Sequence, residues 1–284
     1  MRFISKTTIG DYFVTAEFEK YIYIWHIEKG LIAKFETDLI SGMEKAVSIS
    51  EDGKFLIVAG YSNNSITVFD ITNIKILWQR KDLKKPAKVV LLNKSKNLIF
   101  VDTENKGSYL LNIITGETVE KLKGIEFIYE SSYDEINFNQ KSLKLDIENR
   151  LDRKVLKSLT YKSFAILDVC FSYDEIYIAY SKKPLESISI KTFETKWSIE
   201  VIGHFLKIEY CKELNKLVGI RWEYESGSPM YLCHINLENG QIEKETDLGN
   251  PIAIEFLKSG SMLITTEGKL ISTITNELIK QFEF

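Results

Sequence analysis

The sequence is short of cysteine and proline, and it has no large excess of charge of one sign. Its 284 residues include 3 cysteines and 4 prolines, and the formal net charge at pH 7 is −3. Three cysteines cannot all pair within one chain and none lies in a Cys-x-x-Cys motif, so we expect reduced thiols in a cytoplasmic protein. The charge balance disfavours nucleic-acid binding through overall positive charge.

Long apolar runs and catalytic fingerprints are also missing. No stretch approaches the roughly 20 apolar residues of a membrane span, and residues 1–14 lack the apolar core of a signal peptide. We therefore expect a soluble protein without membrane contact. No Gly-x-Ser-x-Gly, His-Glu-x-x-His, P-loop or Gly-x-Gly-x-x-Gly motif is present. We therefore predict no catalytic residue, no cofactor and no metal.

The spacing of the three histidines in the sequence does not predict a metal site. His26, His204 and His234 fit no zinc pattern, even with Cys233 beside His234. The repeat described below places His26 and His234 at equivalent strand ends in different copies. Because equivalent positions in different copies lie apart, we predict structural roles for these side chains.

What the sequence does contain is a tract of short β-type runs at 54–78. Three runs rich in Val, Ile, Phe, Thr and Trp, at 55–59, 66–71 and 74–78, are separated by polar turns. With the run at 46–50 they predict a four-stranded antiparallel meander. This unit is the pattern that the rest of the chain repeats.

Two markers recur along the chain at a common period. The first is an apolar residue that ends the third strand of each unit, before a polar turn. Its copies are Ile27, Ile71, Ile113, Ile147, Ile190, Ile235 and Ile274. Their spacing averages about 41 residues, the length of a four-stranded propeller blade. The second marker is a polar turn after the first strand, and its Ser-Tyr-Asp-Glu form occurs at 132–135 and again at 172–175.

The repeat predicts an all-β fold, a seven-bladed β-propeller with four-stranded antiparallel blades. Radial stacking lets each blade bury both faces and leaves only short edges. We expect one domain over 1–284, with each blade formed from its own sequence, although the run at 2–5 could instead complete the last blade. The predicted blades are 1–36, 44–79, 87–122, 125–158, 164–200, 204–246 and 251–284.

Several turns resemble those of WD-repeats. Residues 50–53 resemble the polar turn before the family's second strand, and Phe69-Asp70 stands where the family has Trp-Asp. Thr115-Gly116 and Gly203-His204 resemble two further family dipeptides, whereas Trp-Asp itself occurs nowhere. The resemblance is to a degenerate WD-repeat, and it implies a propeller that serves as a platform for protein–protein interaction.

Two loops carry the candidate partner-binding residues. The loop at 221–229 holds Trp222, Tyr224 and Glu225, and the loop at 80–88 holds Arg80, Lys84 and Lys85. Trp, Tyr and Arg are enriched in binding hot spots, and clustered cations suit an acidic surface. As second-to-third-strand and blade-to-blade connections, both loops belong to one face of a propeller. The alternatives are a long hairpin whose aromatic side chains pack back on the blade, and a solvated run of charge.

We therefore predict a non-enzymatic protein whose partner is another protein. We expect the chain to be a monomer or part of a heteromeric complex. A narrower hypothesis is that it is a bacterial immunity protein that neutralises a toxin or effector, suggested by its composition rich in Lys, Ile and Asn. The alternative class is a propeller enzyme or small-ligand binder, such as a lactonase-like hydrolase or a sugar binder. That class needs several polar side chains or a Ca²⁺ site that converge in the central channel.

Overall fold

The computed structural model describes most of the chain. The described residues are 3–6, 11–17, 21–36, 46–60, 63–92, 98–104, 107–130, 136–141, 144–160, 165–181, 185–223, 228–251 and 254–283, with only the backbone described at 3–6. The chain divides into two compact units. Unit 1 comprises 1–130, 139–142 and 284, and unit 2 comprises 131–138 and 143–283.

The described residues form 28 β-strands, arranged as seven four-stranded sheets in which every strand pairs with its neighbours in sequence. The first three sheets, blades 1 to 3, lie in unit 1. Blade 1 is β1 Phe3–Lys6, β2 Tyr12–Glu17, β3 Tyr21–His26 and β4 Gly30–Glu36. Blade 2 is β5 Val47–Ile49, β6 Phe55–Gly60, β7 Ser65–Asp70 and β8 Lys75–Arg80. Blade 3 is β9 Pro86–Leu92, β10 Leu98–Thr103, β11 Gly107–Asn112 and β12 Thr118–Leu122.

The remaining four sheets are blades 4 to 7, and blades 5 to 7 lie wholly in unit 2. Blade 4 is β13 Phe127–Glu130, β14 Ile136–Lys141, β15 Lys144–Asn149 and β16 Val155–Thr160. Blade 5 is β17 Ile166–Phe171, β18 Glu175–Tyr180, β19 Leu185–Ser189 and β20 Thr195–Ile199. Blade 6 is β21 His204–Cys211, β22 Lys216–Trp222, β23 Met230–Ile235 and β24 Ile242–Asp247. Blade 7 is β25 Ile254–Leu257, β26 Met262–Thr265, β27 Lys269–Ser272 and β28 Leu278–Gln281.

Seven antiparallel meanders of four strands confirm the predicted fold class, an all-β seven-bladed propeller. The N-terminal strand belongs to blade 1, where Phe3 pairs with Ala16 and Lys6 with Phe13. The alternative in which this run completes the last blade is therefore not the arrangement observed.

Alternating side chains join neighbouring blades within each unit. In unit 1, Ile66 and Val68 of β7 belong to one buried cluster with Leu111 of β11. In unit 2, Tyr177 of β18 and Phe205 of β21 share another. Because successive residues of a strand point to opposite faces, each inner strand contributes one row of apolar side chains to each neighbour.

One turn geometry recurs between the third and fourth strands of all seven blades. A cap residue ends the third strand or, in blade 6, directly follows it. Its side chain accepts hydrogen bonds from backbone N–H groups two or three residues later. The caps are His26, Asp70, Asn112, Asn149, Ser189, Asn236 and Ser272. Four positions after the cap, φ is positive in every blade, at Gly30, Ile74, Gly116, Arg153, Phe193, Gly240 and Asn276.

The positions of these caps correct the alignment of the seven repeats that was based on the apolar markers. Ile27, Ile71, Ile113 and Ile190 each follow a cap directly, but Ile147, Ile235 and Ile274 do not. The marker alignment is therefore wrong in blades 4, 6 and 7, because the turn requires a side-chain acceptor rather than an apolar neighbour. His26 is a cap whereas His234 lies two residues before one, so the two histidines are not equivalent.

The fourth strand of a blade is fastened to this turn of the next blade. Trp78 Nε1 donates to the Ile113 carbonyl at 2.7 Å, and Trp197 Nε1 donates to the Leu237 carbonyl at 2.7 Å. Each indole lies on the turn glycine, so a Cβ at Gly240 would meet the Trp197 ring at 2.7 Å. This contact explains why the turn position is glycine in blades 3 and 6, since the preceding blades carry Trp78 and Trp197 on their fourth strands.

Candidate functional site

Trp222, one of the predicted contact residues, ends the second strand of blade 6 and is partly exposed. Its backbone pairs with His204 on one side and Met230 on the other. Tyr224 and Glu225, predicted for the same loop, lie outside the described residues. Trp222 therefore has an observed position, and the roles of all three residues stay predictions.

The turn that enters blade 6 packs tightly on the end of β22. A Cβ at Gly203 would lie 2.0 Å from the Trp222 carbonyl oxygen, and Gly203 has a φ of +82°. Only glycine fits both the close approach and the positive φ. The His204 and Trp222 rings meet edge to face with centroids 5.5 Å apart. Turn and strand end are thus held in one arrangement.

The buried side chain of Arg221 holds this arrangement in place, with 6% of its surface exposed. Its Nη1 donates to the Ile202 carbonyl at 2.8 Å and to Glu223 Oε1 at 2.8 Å. Its Nε donates to Glu245 Oε1 at 2.9 Å, and the guanidinium lies 4.7 Å from the Tyr231 ring centroid. One side chain therefore ties the turn, the strand end and the fourth strand of the blade together.

The charge of Arg221 is well compensated. Burial alone would lower the pKa of Arg221, but the hydrogen bonds to Glu223 and Glu245 outweigh burial and raise the pKa. Glu245 also accepts from the Cys233 thiol at 3.3 Å. Burial, followed by the charge of Glu245, raises the pKa of Cys233 far above its usual value, so this thiol is not a nucleophile.

Ile202, whose carbonyl Arg221 holds, is 77% exposed. We call the surface around it the blade 6 rim, formed by Ile202, Trp222, Glu223, Glu245 and Asp247. Glu223 and Glu245 are about one third exposed, at 34% and 38% of their side chains, and Asp247 is exposed. The blade 6 rim thus combines an apolar protrusion, part of an indole and three carboxylates above a single buried cation.

In the basic loop, Arg80 is occupied by contacts within unit 1. Its Nε donates to Asp82 Oδ1 at 2.9 Å, and its Nη1 donates to the Gly116 carbonyl at 2.8 Å and to Thr118 Oγ1 at 2.9 Å. Asp82 raises the pKa of Arg80 through this hydrogen bond. Arg80 therefore secures blade 2 to the turn of blade 3, as Trp78 does.

The two lysines of that loop remain accessible. Lys84 and Lys85 are both exposed, whereas Leu83 before them is buried at 5% exposure. Lys85 donates its backbone N–H to Asn64 Oδ1 at 2.8 Å, and its Nζ lies 3.4 Å from Glu104. The loop is anchored at Arg80 and Leu83 and presents its lysines outward.

Polar side chains on the first strands of unit 2 bear on the alternative of a channel site. Lys207 Nζ lies 3.1 Å from Glu255 Oε2, with 17% and 7% of the two side chains exposed. Asp168 Oδ2 accepts the Ile208 backbone N–H at 3.0 Å. These groups link the first strands of neighbouring blades and are engaged with one another. The alternative of a channel ligand stays a prediction.

Within the described part of the chain, no group of three or more His, Cys, Asp or Glu residues is arranged to hold a metal ion. Across the same residues, no helix is long and apolar enough to cross a membrane.

Sequence reasoning found Trp222 but missed Arg221 as an anchor and Ile202 as a protrusion. Ile202 and Glu245 lie 19 and 24 residues from Arg221 in the sequence. No local pattern reveals contacts of that separation. The one available signal was Gly203-His204, which marked the turn without indicating its exposed neighbour.

Comparisons with known proteins establish the fold alone. No protein-family model matches the sequence, and no curated protein does. The β-propeller domain of Cps50 (Swd1) from Myceliophteria thermophila is similar, with a TM-score of 0.70, 11% identity, and 93% of this chain and 91% of that chain covered. The dihydro-heme d1 dehydrogenase NirN is similar with a TM-score of 0.67, 8% identity, and 98% of this chain and 66% of that chain covered. Since one of these two proteins is a dehydrogenase by name, the fold does not decide whether this protein catalyses a reaction. The chain has a seven-bladed β-propeller fold, similar to the β-propeller domain of Cps50 (Swd1).

Proposed function

We propose that the protein is a non-catalytic interaction module that binds a partner protein through the blade 6 rim. The observation that carries the proposal is Ile202, 77% exposed on a turn that Arg221 and Gly203 hold rigid. Burying an isoleucine side chain at an interface contributes about 1.5–3 kcal/mol. A preorganised anchor loses little conformational freedom on binding, so more of that energy appears as affinity.

Among the described residues, Ile202 differs from three other exposed apolar side chains in its place in the fold. Ile114, Leu151 and Ile274 are also exposed, but each lies two residues after a cap, at the same point of a repeated turn. That recurrence explains them by the geometry of the fold. Ile202 occupies a blade-to-blade connection, and the next residue, Gly203, packs on the backbone of Trp222. Trp is enriched in binding hot spots.

Lys84 and Lys85 are proposed as a second contact. Both side chains are exposed on an anchored loop, and such cations steer an acidic surface during encounter. Charge reversal at both positions should slow association with the partner and leave the unfolding transition unchanged. Tyr224 and Glu225 keep their proposed roles beside Trp222.

The proposal is tested by capture of partners from a lysate of the source organism, with Ile202→Asp compared with Ile114→Asp. Ile114 is 53% exposed on the third-to-fourth-strand turn of blade 3, so it controls for a lost surface isoleucine. We expect one stoichiometric partner with the unmodified chain and with Ile114→Asp, and none with Ile202→Asp. Equal capture by all three chains would contradict the proposal.

A narrower form of the proposal is that the partner is a toxin or effector, neutralised in the bacterial cytoplasm by binding. Co-expression of the captured partner with this chain tests it. We expect growth arrest with the partner alone, growth with both proteins, and arrest again with Ile202→Asp. A partner that does not harm growth would reject the narrower form only.

A further inference from the structure

The charges of the blade 6 rim bear on the chemistry of its partner. Glu223 and Glu245 are hydrogen-bonded to one buried cation, Arg221, and Asp247 follows Glu245 by two residues. These four groups carry a net charge of −2 at neutral pH, as three negative charges less one positive. Asp247 lies on the same strand face as Glu245, because residues two apart on a strand point the same way.

The neighbouring lysine does not cancel this charge. Lys244 precedes Glu245 and therefore points to the opposite face of β24. There its Nζ lies 2.7 Å from the side-chain amide of Asn276, in the turn of blade 7. Among the described residues of the blade 6 rim, the exposed charge is negative.

The carboxylates have spare capacity for a bound cation. Each carboxylate offers two oxygens with about four acceptor positions, and Glu223 and Glu245 each contribute one oxygen to Arg221. Asp247 Oδ1 accepts the Gly249 backbone N–H at 2.7 Å, which fixes the carboxylate at the start of the next connection. Ile202 lies close to Glu223 and Glu245, because its carbonyl and both carboxylates are hydrogen-bonded to Arg221.

We infer that the partner binds the blade 6 rim with a lysine or arginine opposite these carboxylates and an adjacent apolar side chain against Ile202. This inference rests on the proposed function and adds the chemistry of the partner to it. Arginine suits the site best, because its planar fork can bridge two carboxylates. An acidic partner would meet like charge at close range and is disfavoured.

The full-length protein, immobilised, is used to select from a random heptapeptide library displayed on phage. Selection is repeated with Ile202→Asp, and enriched peptides are synthesised for affinity measurement. We expect enriched sequences that combine Lys or Arg with a bulky apolar residue and that disappear in the Ile202→Asp selection.

A charge-neutralised variant, Glu223→Gln with Asp247→Asn, isolates the electrostatic part. Both substitutions keep a side-chain acceptor, so the contacts to Arg221 and Gly249 can persist. We expect the affinity for the selected peptides to fall about three- to tenfold, as removal of two partly exposed ion pairs predicts. The matched control, Glu213→Gln with Glu238→Gln, removes two exposed carboxylates at the opposite end of blade 6 and should leave affinity unchanged.

The outcomes separate the two levels of the argument. Peptides that depend on Ile202 but lack basic residues, or that bind the neutralised variant equally well, would overturn the inferred chemistry and leave the proposed function standing. Peptides that bind the unmodified chain and Ile202→Asp alike, or a failure to enrich any sequence, would count against both. A larger loss of affinity with rising salt for the unmodified chain than for the neutralised variant would support the inference.

Discussion

At the level of single residues, Arg221 joins segments that lie far apart in the sequence. It contacts the carbonyl of Ile202, the carboxylates of Glu223 and Glu245, and the ring of Tyr231. A buried cation without partners costs far more free energy than one with hydrogen-bonded partners. Removal of the cation would likewise leave Glu223 and Glu245 without their partner. Stability of blade 6 and presentation of the blade 6 rim therefore depend on the same side chain.

Arg221→Ala should lower the free energy of unfolding by about 2–4 kcal/mol, because it leaves the Ile202 carbonyl and the two carboxylates without their donor. Urea denaturation followed by tryptophan fluorescence measures the change. Lys157→Ala, at an exposed position of β16, is the control and should change the free energy by less than about 0.5 kcal/mol. A loss no larger than that of the control would contradict the role assigned to Arg221.

His234 makes stability depend on pH in the neutral to mildly acidic range. It is 5% exposed and its Nε2 has no hydrogen-bond partner. Burial lowers the pKa of His234, and the charges of Lys244 and Lys216 lower it further, against a raising contribution from a Thr273 backbone hydrogen bond and from Glu243. Burial likewise lowers the pKa of His204.

The direction of the effect follows from these depressed values. The unfolded chain binds protons on these histidines near pH 6.5, whereas the folded chain binds them only at lower pH. Stability is therefore complete above about pH 6.5 and decreases as pH falls below it. We expect the urea midpoint to decrease from pH 7.5 to pH 5.5, and to decrease less in His204→Gln/His234→Gln. An equal slope in both proteins would contradict this account.

At the level of elements, the turn between the third and fourth strands is the repeated device of the fold. Its side-chain cap and its positive φ occur in all seven blades, yet the residues that meet these requirements vary. Ile74 adopts a φ of +49° and is 60% exposed, although a β-branched residue is strained in this region. Ile74 therefore strains the backbone of blade 2 locally, and glycine at this position would not.

Substitution at equivalent turn positions should have opposite effects. Ile74→Gly relieves the strain and should raise the free energy of unfolding by about 1 kcal/mol, the cost of left-handed backbone less the entropy of glycine. Gly240→Ala should lower it, because the new Cβ would lie 2.7 Å from the Trp197 ring at a φ of +75°. Thermal and urea unfolding of both variants measure the pair, and effects of the same sign would reject the interpretation.

At the level of the whole molecule, the sequence predicts the repeat well and the site poorly. Seven four-stranded blades follow from short apolar runs and polar turns at a constant period, since strand alternation and turn chemistry are local properties. The alignment failed in three blades because an apolar marker was used where the turn selects a side-chain acceptor. Ile202 and Arg221 could not be assigned, since their importance comes from contacts between distant segments.

In a repeat fold, function is expected where one copy departs from the others. Blade 6 carries a buried arginine that is hydrogen-bonded to the turn of the exposed Ile202 and to two carboxylates, in addition to the apolar packing that it shares with blade 5. Blade 6 therefore contains a buried ion-pair network, and such a network seldom improves stability over apolar packing. The exposed isoleucine and carboxylates that this network holds in place are the reason for placing the proposed partner binding at the blade 6 rim.

The most direct test of this claim is site-specific photo-crosslinking in cells of the source organism. A photo-reactive phenylalanine derivative replaces Ile202 in one variant and Ile114 in another, and crosslinked products are identified by mass spectrometry. We predict one discrete crosslinked protein with the label at position 202 and none with the label at position 114. The same products from both positions, or none from position 202, would contradict partner binding at the blade 6 rim.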